Sequence, residues 1–256
     1  MLPRLHLLEI EDQRWCPATV RDALTDYLQF AIEKFRPYHA IAPRLAAALA
    51  KTQAQQIVDL CAGAGGPWPD LLDQMGMPGL RVRLTDRFPN RDAFARMVAR
   101  SGGRVEAELG SVDAAAVPGR LAGFRTIFSS FHHFRPAEAT GILADAVRRR
   151  VGIAIFEGAE RRWLALLWMI LTPLIVLVAM PAVRPVRLSH LVLTYLIPVV
   201  PLVVLWDGIV SCLRCYLPQE LEELASAAGG DYAWEAGRAP VPMSPLRITY
   251  LIGTPK

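Results

Sequence analysis

Asp59, Asp86 and Asp113 are spaced as acidic groups at the tips of successive strands would be. Between the first two lies the turn Cys61-Ala62-Gly63-Ala64-Gly65-Gly66-Pro67. A glycine-rich turn between a strand and a helix lets main chain approach a ligand closely and aims free N–H groups at it. An acidic residue at the tip of the next strand can hold two ribose hydroxyls. Asp86 follows Gly65 by 21 residues, close to the separation of about 20 usual for such a pair. These groups describe a nucleotide-type cofactor site. Farther on, His132-His133 and Glu157 supply imidazoles and a carboxylate fit for moving a proton, the free imidazole titrating near about 6.5. A blander reading has the three aspartates capping helices or turns. It has the histidines bonded to main chain at a helix start, and Glu157 paired with Arg161 or Arg162.

The surrounding pattern positions these groups. Apolar residues from Thr19 to Phe35 recur at spacings of three and four, an amphipathic helix, and a second helix is expected over 42–52. Strands are expected at 57–60, 81–85, 105–109, 126–130 and 151–156. Helices are expected after the glycine turn (Trp68, Leu71, Leu72, Met75), at 91–100 and at 137–150. A helix over 218–228 and two closing strands at 232–236 and 247–253 complete the series. Strands alternating with helices at this pitch predict a parallel sheet covered on both faces. Ligands of such sheets lie at the carboxyl ends of the strands, where the aspartates, the histidines and Glu157 all fall.

Two cofactor families are disfavoured by single residues. A dinucleotide turn needs a third glycine where Trp68 stands, and a phosphate loop needs a Gly-Lys-Ser/Thr that is missing. The run Asp59-Leu60-Cys61-Ala62-Gly63-Ala64-Gly65 instead resembles the class I S-adenosylmethionine-dependent methyltransferases. That family carries an acidic residue on the first strand and then alternating glycines; Cys61 stands where its first glycine is usual. The resemblance covers roughly residues 50–160 and implies a Rossmann-like α/β sheet flanked by helices, with S-adenosyl-L-methionine as cofactor.

By that resemblance Asp59, with Cys61, Ala62, Gly63 and Gly65 of the turn, lines the methionine part. Asp86, with Arg87 beside it, grips the ribose. Asp113, in Gly110-Ser111-Val112-Asp113-Ala114, meets the adenine, with Ser111 and Val112 adjoining. Ser129 ends the fourth strand. His132, His133 and Glu157 are left as catalytic candidates toward the acceptor. Leading segments often form a lid in this family, so Trp15, Arg21 and Tyr27 are candidate acceptor contacts, together with Ser211 and Arg214. Packing of the first helix on the sheet is the alternative for Trp15 and Tyr27.

Composition adds a second feature. The 256 residues are 53% hydrophobic, and the excess is concentrated. Trp163 to Val183 is 21 residues without a charge. Leu188 to Trp206 is 19 residues whose ionisable groups are His190 and Tyr195. Each is long enough to cross about 30 Å of hydrocarbon as a helix. The sequence therefore divides into an N-terminal helical lid (1–50), a cofactor-binding core (51–162), a two-helix transmembrane hairpin (163–206) and the rest of the core (207–256). Arg148, Arg149, Arg150, Arg161, Arg162 and Arg214 flank the hairpin, against Arg184 and Arg187 at its tip. That bias places the catalytic domain on the cytoplasmic side of the inner membrane. No apolar run of signal-peptide length opens the chain.

The net charge of +4 is spread over scattered arginines, which suits a lipid-facing surface and argues against nucleic acid. Cys212-Leu-Arg-Cys215 has no second ligand pair, so no metal is expected there. The expected activity is methyl transfer to a small, lipophilic or membrane-associated acceptor, with membrane lipid as a partner. A helical pair buried within a soluble protein, or an interface with a second copy in a homodimer, is the alternative to membrane contact. A non-catalytic scaffold that binds the cofactor, and a nicotinamide-dependent oxidoreductase, are the competing functions.

Overall fold

The computed structural model describes residues 2–256 apart from Met243 and Pro245. Its centre is a seven-stranded sheet of β1 (Gln56–Leu60), β2 (Arg81–Leu84), β3 (Val105–Ala107), β4 (Phe124–Phe128), β5 (Ile153–Glu157), β6 (Tyr232–Pro240) and β7 (Arg247–Pro255), in the order β3-β2-β1-β4-β5-β7-β6. The first five strands run parallel, while β7 lies antiparallel to both β5 and β6. The order reverses between β1 and β4, which opens a crevice at their carboxyl ends.

Helices cover both faces, as the unbroken apolar strands require. They are α1 (Ala18–Phe35), α2 (Ala42–Lys51), α3 (Asp70–Met75), α4 (Arg91–Arg100), α5 (Pro136–Arg148) and α10 (Pro218–Ala228), the last after four helices of the apolar region. Ile57 and Val82 pack with Leu45, Leu49 and Phe94 on one face. Val58 and Leu60 pack with Ile142, Leu143 and Leu221 on the other. Local signals set the helix starts. Asn90 accepts from the N–H of Ala93 to cap α4, while Pro136 and Pro218 open α5 and α10 where a missing N–H costs nothing. The expected strands and helices of the core all form, within two residues or so at most ends.

The apolar region departs from expectation. Among the described residues no single helix is long and apolar enough to cross a membrane. The first stretch breaks into α6 (Trp163–Met169) and α7 (Thr172–Ala179), with a bend of 42°. The second breaks into α8 (Leu188–Leu191), a π-turn over Val192–Leu196, and α9 (Val199–Arg214), bent by 79°. Prolines explain the breaks, since each removes a helical N–H and clashes with the preceding turn. Pro173 sits in the first turn of α7 and Pro198 directly precedes α9. At the first break the Thr172 hydroxyl donates to the carbonyl of Met169 (2.6 Å), satisfying a group the bend leaves free.

The tip of the hairpin also folds back. Arg187 pairs with Asp22 of α1 at 3.0 Å, and Tyr27, Leu24 and Val20 of α1 pack against Val176, Met180, Val200 and Val203. On α6 and α7 the inward row (Ala165, Thr172, Val176, Met180) is buried. An outward row at the same helical spacing (Trp163, Leu167, Ile170, Leu174, Val178) is exposed, Val178 by 83%. Both rows are apolar, unlike those of an ordinary surface helix.

Candidate active site at the strand ends

The turn after β1 is shaped by backbone conformations that few side chains accept. Cys61 (φ 56°) and Gly63 (φ 53°) are left-handed, Gly65 lies at φ 116° and Gly66 at φ 69°. A Cβ on Gly63 would meet nothing within 4 Å, so its main chain is open to a ligand. A Cβ on Gly65 would stand 3.0 Å from Met97 Cε, so that glycine is needed for packing. The structure accepts Cys61 where a glycine is usual at the cost of a left-handed cysteine.

Asp59 does not present its carboxylate to the crevice. It is 1% exposed; Trp68 Nε1 donates to one of its oxygens (3.0 Å) and Thr126 Oγ1 to the other (2.6 Å). Burial raises its pKa to about 7, against the lowering effect of those two donors. Asp59 therefore fixes the turn from beneath, which differs from the expected contact with a methionine group. Trp68, which argued against a dinucleotide turn, is the buried post to which that carboxylate is tied.

The acidic residues gather at the tip of β2 and in its neighbouring loop. Asp86 reaches back from the end of β2, its carboxylate accepting from the N–H of Gly63 (3.0 Å) and of Phe88 (2.8 Å). The N–H of Val112 donates to the carbonyl of Asp86, and Ser111 Oγ to that of Arg87, which holds the Asp113 loop beside the tip of β2. Asp113 and Arg87 are exposed there, and Ala62 is buried under the turn. Ser129 (φ 44°) accepts from the N–H of Gly158 and shares a 2.7 Å hydrogen bond with Tyr38. An open glycine main chain bordered by Asp86 and Asp113 fits a nucleoside cofactor. A cleft of about 290 Å³, lined by Arg36, His39 and Asp70 among others, lies behind this site and shares with it Tyr38 and Trp68, the partners of Ser129 and Asp59.

The histidines and Glu157 also converge. His132 Nδ1 lies 2.7 Å from one Glu157 oxygen, and the His132 main-chain N–H donates to the other (3.0 Å). The blander pairing of Glu157 with Arg161 does not form: Arg161 binds Glu220, and Arg162 binds Glu160. His132 is 3% exposed, and its Nε2 has no hydrogen-bond partner. His133 meets Asp12 at 3.0 Å. Burial works to lower its pKa, but Asp12 and Glu9 outweigh that and raise it to about 9; Asp12 falls to about 2 under the same contacts and Arg214.

The N-terminal segment brings the groups that sequence reasoning missed. Glu9 lies 3.7 Å from His132 Nε2, 3.5 Å from His133 Nδ1 and 3.1 Å from Arg214. The segment is irregular, so no periodicity marks it; it is held by Asp207, which accepts from the N–H groups of Ile10 and Glu11. Ser211 donates to Glu9, and Arg214 pairs with Glu9 and Asp12, so both lie at the histidine rim. The other leading residues do not. Arg21 donates to the carbonyls of Glu11, Gln13 and Cys16; Tyr27 is buried among the hairpin helices; Trp15 is 66% exposed. Arg21 braces the segment and Tyr27 the hairpin helices, while farther along α1 Gln29 reaches the glycine turn and donates to the carbonyl of Gly66 (3.1 Å).

The sequence matches no protein-family model and no curated protein. Solved structures share its fold. The chain is similar to the plantazolicin methyltransferase BpumL in complex with SAH, at 10% identity and a TM-score of 0.58, over 96% of this chain and 94% of that one. It is similar to the O-methyltransferase NcsB1 from neocarzinostatin biosynthesis, with SAH and 1,4-dihydroxy-2-naphthoic acid, at 15% identity and a TM-score of 0.53, over 93% and 59%. A putative O-methyltransferase from Nostoc punctiforme matches at 15% identity and a TM-score of 0.51, over 88% and 59%. The chain spans 53 to 59% of the length of the first three such structures. The fold is that of class I methyltransferases.

Proposed function

We propose that this protein is an S-adenosylmethionine-dependent methyltransferase acting on a small acceptor that is lipophilic or held at a membrane. One observation carries the reading: a single sheet edge joins the open glycine turn, backed by Asp86, to the His132–Glu157 pair. Bound S-adenosylmethionine supplies a methyl group on a sulfonium, which a nucleophile takes by in-line displacement. Gly63 and Asp86 would hold the cofactor, with Asp113 toward its base. Tyr38 and Gly158 fix Ser129 at the neighbouring strand end. Glu157 orients the His132 segment and its ring, whose Nε2, free of any hydrogen-bond partner, can take the proton of an acceptor hydroxyl. The solved relatives named as O-methyltransferases support an oxygen nucleophile.

The outward apolar row of α6 and α7, flanked by Trp163 and Arg162, supports attachment to the cytoplasmic face of a membrane, with the bent helices lying in the interface. A helix pair tethered through Arg187 to α1 suits that arrangement better than a full crossing. The test is incubation of purified protein with S-adenosylmethionine and bacterial lipid extract, followed by mass spectrometry for products heavier by one CH₂. Cofactor binding by calorimetry without any such product, across lipid and water-soluble phenolic acceptors, would favour the non-catalytic scaffold.

A further inference from the structure

His132 is held in the arrangement of a metal-ligating histidine. Its Nδ1 sits 2.7 Å from a Glu157 oxygen, so that nitrogen carries a hydrogen donated to the carboxylate. In the neutral ring this leaves a lone pair on Nε2. That atom is buried, lacks a hydrogen-bond partner, and faces the Glu9 carboxylate at 3.7 Å. That Glu9 oxygen already meets Arg214 Nη1 at 3.1 Å and accepts from Ser211, but no donor reaches Nε2, and an ion set between the two atoms would serve both. A carboxylate that accepts from one ring nitrogen, leaving the other free for the ion, is how metal sites fix histidine tautomers.

The neighbouring groups complete the set. The other Glu9 oxygen lies 3.5 Å from His133 Nδ1, and the ligand atoms of Glu9, His132 and His133 lie within 4.8 Å of one another. Ligands about 2.0–2.2 Å from a zinc-type ion stand at comparable separations from each other. Charge agrees. Glu9, Asp12 and Glu157 bring three carboxylates; among the described residues Arg214 and the His133 ring are the cationic partners of Glu9 and Asp12, and an ion would take the place of the His133 proton. Arg214 Nη1 lies 3.1 Å from Glu9, 3.2 Å from Asp12 and 3.4 Å from His133 Nδ1, so it competes for part of the same space.

We infer that Glu9, His132 and His133 bind a divalent first-row transition ion, with Glu157 as the outer carboxylate. Two imidazoles and a carboxylate suit zinc, iron(II) or cobalt(II) and leave positions open for an oxygen donor. The ion ties the N-terminal segment to the sheet edge. Insofar as the proposed methyl transfer holds, it also gives the acceptor hydroxyl a Lewis acid in place of an imidazole base.

The test is titration of chelator-treated full-length protein with cobalt(II), read by visible absorption, with zinc(II) displacement followed by calorimetry. Neither readout depends on methyl transfer, so the two proposals fail separately. One ion per chain is expected. Glu9→Gln and His133→Ala should abolish the cobalt spectrum, and Glu157→Gln should weaken binding by about 10–100-fold. Circular dichroism reports whether each variant is folded; for any that is not, the wild-type stoichiometry and spectrum decide. Arg214→Met should tighten binding. Absence of a cobalt spectrum in the wild type, an unchanged spectrum in folded Glu9→Gln and His133→Ala, or binding that emerges in Arg214→Met alone, would each overturn the inference; the last would make Arg214 the cluster's own cation.

Discussion

Glu157 receives both the ring Nδ1 and the main-chain N–H of His132, at 2.7 and 3.0 Å, from opposite oxygens of one buried carboxylate. One side chain at the end of β5 thus sets both the position of the segment after β4 and the orientation of its imidazole. Glu157→Ala strands two buried donors, each worth about 1–3 kcal/mol when left unsatisfied. Urea denaturation should show a loss in that range or above it, and methyl transfer should fall by about 10²–10⁴-fold if the pair handles the acceptor proton. A folded Glu157→Ala protein with undiminished turnover would remove the pair from the reaction.

The two glycines of the turn should respond differently to alanine. Gly63→Ala meets open space and bears only the left-handed backbone, at about 1–2 kcal/mol. Its effect should fall mainly on cofactor affinity, measured by calorimetry. Gly65→Ala brings a methyl group against Met97 at φ 116° and should cost more stability than Gly63→Ala. Thermal melts of the two variants compare them directly, and equal shifts would contradict the packing seen here.

Asp59 gives a pH dependence with a defined sign. Burial holds its folded pKa at about 7, against about 3.9 in an unfolded chain. Between those values the folded protein holds a proton that the unfolded chain has released. The contribution to stability is therefore full below about pH 4 and is lost as pH rises through about 7. From pH 5 to 8 wild type should lose about 1–3 kcal/mol relative to Asp59→Asn, which has no proton to lose. Urea midpoints at the two pH values check this; a wild type that gains on the variant over that range would mean an ionised Asp59.

The outward and inward rows of α7 can be separated by mutation. Leu174→Glu with Val178→Glu alters exposed positions and should leave the melting temperature within a few degrees while abolishing flotation with anionic vesicles. Val176→Ala empties a fully buried site and should cost about 1–3 kcal/mol with vesicle binding retained. If the glutamates instead convert a dimer to monomer on sizing columns, with no change in flotation, the row is an interface between copies.

The core was legible because its signals are local. Ile57-Val58-Asp59-Leu60 and Val151–Phe156 are short apolar runs bounded by turn residues, and nothing longer-ranged competes with them. Asp86 and Asp113 follow strands and so land on the rim. The breaks in the apolar stretches are not legible in length and hydrophobicity, which carry no direction. Near prolines 173 and 198 each stretch breaks into two shorter helical pieces, bent by 42° and 79°, and the Arg187–Asp22 pair ties the tip to α1. Glu9 was out of reach altogether. Its irregular segment has no period, and its place depends on Asp207, almost two hundred residues away in the chain.

That attachment joins two parts that would otherwise be separate. Asp207 and Trp206 stand on α9 and grip the main chain at Leu8, Ile10 and Glu11, while Glu9, between those anchor points, looks toward His132. The helix that leaves the apolar region is therefore a lever with the reaction edge at its end. On the proposed membrane attachment, any tilt that a lipid surface imposes on α9 would carry Glu9 with it, and bilayer contact and the geometry around His132 would form one mechanical variable.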